Sequence, residues 1–198
     1  MSNEQVIHEI FQKNNGLLES KQAAGLGIDN KVLQRMAEKG VIERIGHGLY
    51  LDADFMHDEY ILAQYRCRKG VFSHETALYF HELSDRTPFQ LMMTVPAGYN
   101  TRLLKEPDKY KFFYCKKDQY ELGITQGKTS FGNTITLYDK ERTVCDCLRK
   151  KDKLDADMVV MSVKKYMKEP GADFAKLLKY AEIFNIREQV RQYMEVLA

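Results

Sequence analysis

Apolar residues near the start of the chain recur with the spacing of short amphipathic helices. Over residues 3–14 they fall at i, i+1, i+4 and i+5, which predicts a helix that buries one face. A second, shorter helix is predicted to begin at Ser20, a residue type that caps helix N-termini, and to end at Gly25 and Gly27. Its small alanine side chains allow close packing, so we expect two short helices in contact.

A third helix is predicted immediately afterwards, with Asp29 or Asn30 as N-cap and Gly40 just beyond its end. The face expected to be buried carries Val32, Leu33, Met36 and Ala37. The face expected to be exposed carries Lys31, Gln34, Arg35, Glu38 and Lys39. Such a helix packs on its neighbours and leaves a row of polar side chains available for a partner.

Two β-rich segments follow the third helix. Residues 41–45 and 49–51 flank the turn Gly46-His47-Gly48, which predicts a β-hairpin. Three short helices followed by a hairpin is the order of a winged helix, and the short, glycine-containing connection between the second and third helices is typical of a helix-turn-helix. We therefore predict a winged helix-turn-helix domain over residues 1–54 and a second domain over residues 55–198.

The second domain has its β-rich segments in the middle and helical segments on both sides. Helices are predicted at residues 58–68, 74–83 (capped by Ser73), 141–150, 156–167, 173–184 and 186–197. Strands are predicted at residues 89–96, 110–116, 121–125 and 133–139. The fold class expected for the chain is α+β, in which the C-terminal domain is mixed α/β with a central sheet flanked by helices.

The exposed face of the third helix carries side chains that suit the major groove of DNA. A recognition helix contacts base edges near its N-terminus, where glutamine pairs with adenine, arginine with guanine, and lysine with guanine or phosphate. The first turn of the second helix is expected to contact backbone phosphates, and the hairpin, as the wing, to lie in or along the minor groove. The predicted DNA-binding residues are Ser20, Lys21, Gln22, Asn30, Lys31, Gln34, Arg35, Lys39, Arg44 and His47.

The total charge of this domain does not by itself indicate DNA. Residues 1–50 hold six Lys/Arg and six Asp/Glu, and winged helices also serve as protein-interaction modules. The charges are segregated, however, because Lys31, Arg35 and Lys39 share one side of the third helix, whereas three acidic residues, Glu4, Glu9 and Glu19, lie in or just after the first. This segregation leads us to predict double-stranded DNA as the partner.

The composition is that of an ordinary globular protein. The chain has 198 residues, of which 44% are hydrophobic and 29% charged, and its formal net charge of +2 is too small for a general polyanion binder. The sequence shows neither an apolar run of membrane-spanning length nor the layout of a signal peptide, so we expect a cytoplasmic protein. The four cysteines lack the spacing of a zinc motif, and neither a metal nor a cofactor is expected.

Several motifs resemble the AbiEi family of abortive-infection antitoxins. The first region shares Leu33-x-Arg35-Met36, Gly40-x-Ile42-x-Arg44-Ile45 and a wing that ends Gly48-Leu49-Tyr50. The second region shares the segments GVFSHETALYFHEL, LMMTVP and TLYDKERTVCDCL, the last with an "ERT...D" signature. The wing departs from the family pattern, because His47 stands where relatives often carry arginine. The likeness spans nearly the whole chain.

This resemblance implies a bifunctional, non-enzymatic bacterial antitoxin with a role in phage resistance. Its N-terminal domain is expected to repress its own operon by binding promoter inverted repeats, as a monomer or weak dimer that cooperates on DNA. Its C-terminal domain is expected to counteract a nucleotidyltransferase toxin without a stable complex, as in type IV toxin-antitoxin systems. The alternatives are a ligand-responsive transcriptional repressor with no antitoxin role and an enzyme that reverses or blocks a nucleotidyl transfer.

Two histidines invite a metal-site interpretation that the spacing does not support. His74-Glu75 begins like the zinc-protease motif HExxH, but Leu78 stands at the position of the second histidine. His74 and His81 are seven residues apart and could share a helix face, but two imidazoles without a nearby carboxylate partner for a metal are more often surface or partly buried residues, which is what we expect here.

Acidic residues in the third quarter of the chain offer acid-base chemistry. Asp139, Glu141 and Asp146 surround Arg142, and paired carboxylates of this kind serve some hydrolases and transferases. Capping of a helix by Asp139 and a structural salt bridge from Arg142 explain the same residues more simply.

Residues 140–168 are basic, with nine Lys/Arg against five Asp/Glu. Such a segment usually forms a solvated face. Our hypothesis is that it contacts flanking DNA or a nucleic-acid target shared with the toxin.

Overall fold

The computed structural model describes residues 3–100 and 105–197, and within them the chain forms a mixed α+β fold. This part of the chain divides into two compact units. The first unit comprises residues 3–66 and 128–134, and the second unit comprises residues 67–100, 105–127 and 135–197. The predicted mixture of helices and sheets is confirmed, whereas the domain division between residues 54 and 55 stays a prediction.

The first unit contains short helices and a small antiparallel sheet. Its described elements are α1 (Asn3–Lys13), β1 (Leu17–Glu19), α2 (Ser20–Gly25), α3 (Asn30–Glu38), β2 (Ile42–Gly46), β3 (Leu49–Asp52) and α4 (Glu59–Arg66). The strands pair in the order β1-β3-β2, with Leu17 opposite Leu51. The sequence pattern does not predict β1, because three residues are too few to show alternation and their pairing with β3 is a tertiary contact.

The helices of the first unit pack through the apolar faces that the sequence indicates. Ile7 and Phe11 of α1 and Leu33 and Met36 of α3 are buried, together with apolar residues of β1, α2 and the β2–β3 hairpin. The charged and amide side chains of α3 are exposed. The predicted division of α3 into a buried and an exposed face is therefore confirmed.

Helices and a five-stranded sheet make up the remainder of the described chain. The elements are β4 (Val71–Phe72), α5 (His74–Phe80), β5 (Leu91–Pro96), β6 (Tyr110–Cys115), α6 (Lys117–Glu121), β7 (Ile124–Lys128), β8 (Thr134–Tyr138), α7 (Lys140–Arg149), α8 (Ala156–Met167), α9 (Phe174–Ile183) and α10 (Arg187–Leu197). The strand order is β6-β5-β4-β8-β7. Strand β4 pairs antiparallel with β5 and parallel with β8, and β5 pairs parallel with β6.

One apolar core joins α5 and α7–α10 in the second unit. Its buried members include Leu78, Val144, Val163, Leu177 and Val190, one from each of these helices. Across residues 3–100 and 105–197, every helix is too short or too polar to cross a lipid bilayer.

Two parts of the second unit differ from the sequence prediction. Helix α5 ends at Phe80 rather than continuing to residue 83, because Glu82 adopts a left-handed backbone with φ of 58°. The predicted strand over residues 121–125 begins only at Ile124, and α6 precedes it. Gly123, with φ of 78°, turns the chain between α6 and β7.

His74 is a buried structural residue. Its ring stacks on Phe113 with centroids 3.6 Å apart, and its Nδ1 lies 2.9 Å from the Ser73 hydroxyl, which accepts a hydrogen bond from Thr94 at 2.9 Å. Its φ of 50° is unusual for a residue with a side chain, and the surrounding contacts hold it there. Within the described residues, no three His, Cys, Asp or Glu side chains converge as metal ligands.

Acidification below about pH 6.5 is expected to lower the free energy of unfolding through His74. Burial lowers the pKa of His74 well below its ordinary value, whereas the unfolded chain protonates this ring near pH 6.5. The unfolded state then binds more protons than the folded state, so stability falls by up to about 1 kcal/mol per pH unit between roughly pH 6.5 and 5. Urea unfolding at several pH values across this range measures the slope.

Two variants identify the source of that slope. Asparagine tolerates a left-handed backbone, so His74→Asn is expected to fold with a lower free energy of unfolding. The dependence of that free energy on pH is expected to be smaller than in the wild type. Thr94→Val removes a hydrogen bond from the same buried group without removing a titrating group, so it is expected to lose stability while keeping the slope. Burial also lowers the pKa of His81, which supplies part of the remaining slope. A wild-type slope in His74→Asn contradicts this assignment.

Candidate nucleic-acid interface

The exposed face of α3 presents four of the predicted DNA-binding side chains. Asn30, Lys31, Gln34 and Arg35 are all exposed, and the Nε of Arg35 donates to the Lys31 carbonyl oxygen at 3.4 Å. Residues three and four apart are neighbours on a helix surface, so Lys31, Gln34 and Arg35 form one polar patch. We call these three residues the reading patch. Its donors match the edges of guanine and adenine in the major groove.

Lys39 lies away from the centre of this patch, at the C-cap of α3. It lines a groove of about 270 Å³ together with Asn3 and Glu4 of α1, and Arg35 borders the same groove. Glu4 lines the same groove, and its negative charge is expected to weaken the attraction of Lys39 for a phosphate.

The N-cap of α3 places a negative charge next to the reading patch. The exposed Asp29 carboxylate accepts a hydrogen bond from the Lys31 N–H at 2.8 Å. This bond satisfies one of the amide groups that the helix start leaves without an internal partner. The same charge opposes the approach of a DNA phosphate.

Asp29→Asn is expected to raise affinity for operator and random DNA alike, by roughly two- to three-fold at moderate salt. Asparagine is an equally good N-cap, so the helix is retained while the charge is removed. Asp173→Asn is the matched control, because Asp173 caps α9 in the second unit through the same kind of bond, from the Lys176 N–H at 2.9 Å. Fluorescence anisotropy with labelled duplexes measures both variants. Equal affinity of Asp29→Asn and wild type contradicts the placement of α3 against DNA.

The start of α2 differs from the prediction. Glu19, not Ser20, is the N-cap, and it forms a capping box with Gln22, whose Oε1 accepts the Glu19 N–H at 3.0 Å. The prediction of Ser20 as N-cap is wrong, because Ser20 is already the first helical residue. The Glu19 carboxylate accepts the N–H of the third helical residue at this helix start, so a phosphate contact here is expected to depend on the exposed Lys21.

The β2–β3 hairpin exposes the predicted wing residues, Arg44 on β2 and His47 in the turn. Arg44 and His47 are both exposed, and the register between the two strands shifts between Arg44 and Gly46. Ser20 is half-buried beside this turn, because its N–H donates to the Gly48 carbonyl oxygen at 2.8 Å. The structure therefore brings Ser20 together with the β2–β3 turn.

A buried ion pair occupies the centre of the "ERT...D" segment in the second unit. Arg142 is fully buried, and its Nε donates to Asp146 at 2.8 Å while its Nη1 donates to the Leu122 carbonyl oxygen at 2.7 Å. The guanidinium also lies 4.0 Å from the centre of the Tyr138 ring. Burial acts to lower the pKa of Arg142, but the adjacent Asp146 carboxylate raises it above its ordinary value, so the guanidinium stays charged.

Asp139 and Glu141 are bonded to neighbouring helices. The Lys176 ammonium lies 3.0 Å from each carboxylate. Asp139 also caps α7, accepting the Arg142 N–H at 2.8 Å, and the Tyr180 hydroxyl donates to it at 3.1 Å. Burial acts to raise the pKa of Glu141, but hydrogen bonding, chiefly from Lys176, lowers it. The helix cap and the salt bridge expected from the sequence are both confirmed.

The basic segment after residue 140 has a mixed environment. Lys151, Lys153, Lys164 and Lys168 are exposed, whereas Lys165 lies 3.0 Å from a carboxylate oxygen of Asp85. A contact between this segment and nucleic acid stays a hypothesis.

Two residues with structural roles near the candidate site, Glu19 and Tyr65, do not appear among the site residues predicted from the sequence, and only the first has a recognisable sequence signal. Glu19 and Gln22 have the i, i+3 spacing of a capping box, although glutamate is an unusual N-cap. Tyr65 of α4 donates its hydroxyl hydrogen to the His47 carbonyl oxygen at 2.9 Å. A contact between residues so far apart in sequence leaves no local pattern, so only the structure reveals it.

Comparison with known proteins supports a regulatory role for the first region. Residues 5–51 match a family model described as "Transcriptional regulator, AbiEi antitoxin". The resemblance inferred from the motifs is thereby confirmed over these residues, and all the predicted DNA-binding residues fall within them. This region is therefore similar to antitoxin-type transcriptional regulators.

The fold also resembles a solved structure. The chain is similar to the crystal structure of the RV2827C protein from Mycobacterium tuberculosis, with a TM-score of 0.60 and 11% sequence identity over 90% of this chain and 70% of that one. At such low identity the similarity concerns the fold alone. No curated protein matches the sequence of the chain.

Proposed function

We propose that the protein is a non-enzymatic antitoxin of a type IV abortive-infection system that also represses its own operon. Residues 1–54 act as a winged helix-turn-helix that binds inverted repeats in the promoter. Residues 55–198 counteract a nucleotidyltransferase toxin in the cytoplasm without a stable complex. The observation that carries this proposal is the exposed reading patch on α3, in a region that matches an antitoxin-type regulator family.

The order of elements supports the DNA-binding half of the proposal. Helices α1–α3 are followed by the β2–β3 hairpin, which is the order of a winged helix. The reading patch near the start of α3 supplies base contacts, Lys21 supplies a phosphate contact, and Arg44 and His47 serve the wing. Inverted repeats require two copies per operator, and monomers or weak dimers that cooperate on DNA satisfy this requirement.

The carboxylates of the second unit support a non-enzymatic role. Asp146 is buried and lies within hydrogen-bond distance of both Arg142 and Arg149, and Lys176 bridges Asp139 and Glu141. Acid-base catalysis requires a carboxylate within reach of a substrate proton. Carboxylates committed to internal ion pairs stabilise the fold instead.

Two assays on the full chain test the two halves separately. A promoter fragment titrated with protein measures operator affinity, and footprinting is expected to show protection of both halves of an inverted repeat. Co-expression with the adjacent toxin gene measures rescue of growth. A variant that lacks the reading patch, Lys31→Ala with Gln34→Ala and Arg35→Ala, is expected to lose repression and keep rescue.

The possible outcomes separate the alternatives. Repression without rescue by the wild-type chain favours a ligand-responsive repressor, which then requires a small molecule that shifts operator affinity. Loss of rescue in Asp146→Asn, with the fold retained by circular dichroism, favours an enzyme. The proposal is overturned if the wild-type chain neither binds the operator nor rescues growth.

A further inference from the structure

The turn at the tip of the β2–β3 hairpin is held by two hydrogen bonds from outside the hairpin. The Tyr65 hydroxyl of α4 donates to the His47 carbonyl oxygen at 2.9 Å, and the Ser20 N–H of α2 donates to the Gly48 carbonyl oxygen at 2.8 Å. The turn residues are thus connected both to the helix that follows the hairpin and to the helix that precedes α3. Most of the bonds that hold a hairpin turn come from its own two strands, whereas this turn also accepts bonds from two helices.

Gly48 lies close to both Ser20 and Tyr65. Gly48 has a φ of 72°, and a Cβ atom at this position would lie 3.2 Å from the Ser20 Oγ and 3.5 Å from the Tyr65 Oη. A Cβ here would crowd the Ser20 hydroxyl, would reach van der Waals contact with the Tyr65 hydroxyl and would require an unfavourable backbone conformation. The turn, Ser20 and Tyr65 therefore form one closely packed group, which we call the wing anchor.

The strand register shows why the tip benefits from an anchor. The pairing between β2 and β3 shifts between Arg44 and Gly46, so the ladder is irregular just before the turn. Arg44 and His47, the wing residues, lie on either side of this irregularity. Without an external bond, the backbone that carries them would sample more conformations.

We propose that Tyr65 is a positioning residue for the wing, with Ser20 as its second support. The wing anchor holds the His47 and Gly48 carbonyls in place, so the wing meets DNA without first paying the entropy of ordering. Ser20 acts through its backbone N–H and its packing on Gly48, not through a phosphate contact. The proposal rests on the proposed DNA binding. It also makes α4, which lies beyond residue 54, a working part of the DNA-binding module.

Tyr65→Phe in the full chain tests the proposal, because it removes the hydroxyl and keeps the ring. Operator affinity is expected to fall roughly three- to ten-fold, because the variant loses one neutral hydrogen bond that orders the wing. The melting temperature is expected to change little. Amide hydrogen exchange at residues 46–49 is expected to become faster, which reports mobility of the turn independently of DNA.

A double-mutant cycle separates positioning from a general structural role. In an Arg44→Ala, His47→Ala background the wing side chains are absent, so adding Tyr65→Phe is expected to cause no further loss of operator affinity. Ser20→Ala keeps the backbone bond but removes the hydroxyl beside Gly48, so it is expected to lower operator affinity less than Tyr65→Phe does. Tyr193→Phe on α10 is the matched control for loss of a phenolic hydroxyl.

Each result bears on a different claim. Wild-type operator affinity in Tyr65→Phe, or an equal further loss in the background without wing side chains, overturns the positioning role. A large loss of affinity in Ser20→Ala shows that Ser20 contacts phosphate and overturns its role as a support. Failure of the wild-type chain to bind any promoter fragment instead overturns the proposed function, and unchanged exchange at residues 46–49 then overturns the anchor as well.

Discussion

Replacement of Arg142 by lysine is expected to lower the free energy of unfolding by roughly 3–5 kcal/mol. The guanidinium is fully buried and donates to Asp146 and to the carbonyl oxygens of Gln119 and Leu122. The ammonium of lysine lacks the planar fork of donors, so it cannot reach all three acceptors at once. At least one buried acceptor then loses its partner. Urea unfolding followed by circular dichroism measures the change.

Two further variants keep this prediction testable if Arg142→Lys does not fold. Arg149 also bonds to Asp146, at 3.3 Å, but it is only partly buried, so Arg149→Lys is expected to cost less than about 1 kcal/mol. The double variant Arg142→Met, Asp146→Leu removes both charges together and is expected to be more stable than Arg142→Met alone. Equal stability of Arg142→Lys and Arg149→Lys contradicts the assignment of Arg142 as the central ion of the fold.

This ion pair gives a structural meaning to the "ERT...D" segment. Arg142 links α7 to a carbonyl at the end of α6. Gly123 leaves room for the Arg142 side chain, because a Cβ on residue 123 would lie 2.9 Å from the Arg142 Cβ. A glycine with positive φ is thus required beside a buried arginine. The motif holds two parts of the second unit together, which is sufficient reason for its composition without any catalytic step.

The sequence predicted best those elements whose burial follows a regular period. Helix α3 is an example, because Leu33 and Met36 alternate with charged residues over more than two turns, and Asp29 is a typical N-cap. The hairpin was equally predictable, since β-rich segments flank a glycine turn. Both signals are local, and both are confirmed by the described structure.

The sequence failed where an element is too short or where tertiary contacts decide. Strands β1 and β4 have three and two residues, so neither shows a period. The end of α5 is set by Glu82, whose left-handed backbone precedes buried Leu83, and the sequence does not show this conformation. The role of Tyr65 likewise depends on a contact across the first unit.

The candidate site shows the same contrast. Exposure of the reading patch followed from helical periodicity, and the reading patch is indeed exposed. The start of α2 differs from the prediction, because serine is a more common N-cap than glutamate, whereas here Glu19 is the N-cap and pairs with Gln22. That one-residue difference moves Ser20 from a helix cap to a neighbour of the wing turn.

Loss of the reading patch is expected to cause the largest change in DNA binding. Gln34→Ala and Arg35→Ala each remove a proposed base contact, so each is expected to cost about 1–3 kcal/mol, or roughly 5- to 150-fold in operator affinity. Lys31→Ala removes a charge and is expected to weaken operator and random DNA to a similar extent. Alanine is a strong helix former, so α3 is retained in all three variants.

Salt dependence separates these roles and gives the decisive comparison. Lys31→Ala is expected to reduce the slope of log affinity against log salt by about one, whereas Gln34→Ala is expected to leave it unchanged and to relax preference at one base pair. Lys179→Ala, an exposed lysine on α9, is the control for loss of a positive charge elsewhere. The triple variant is expected to bind operator no better than random DNA. If it keeps the wild-type preference, α3 is not the recognition helix, and another surface must contact the bases.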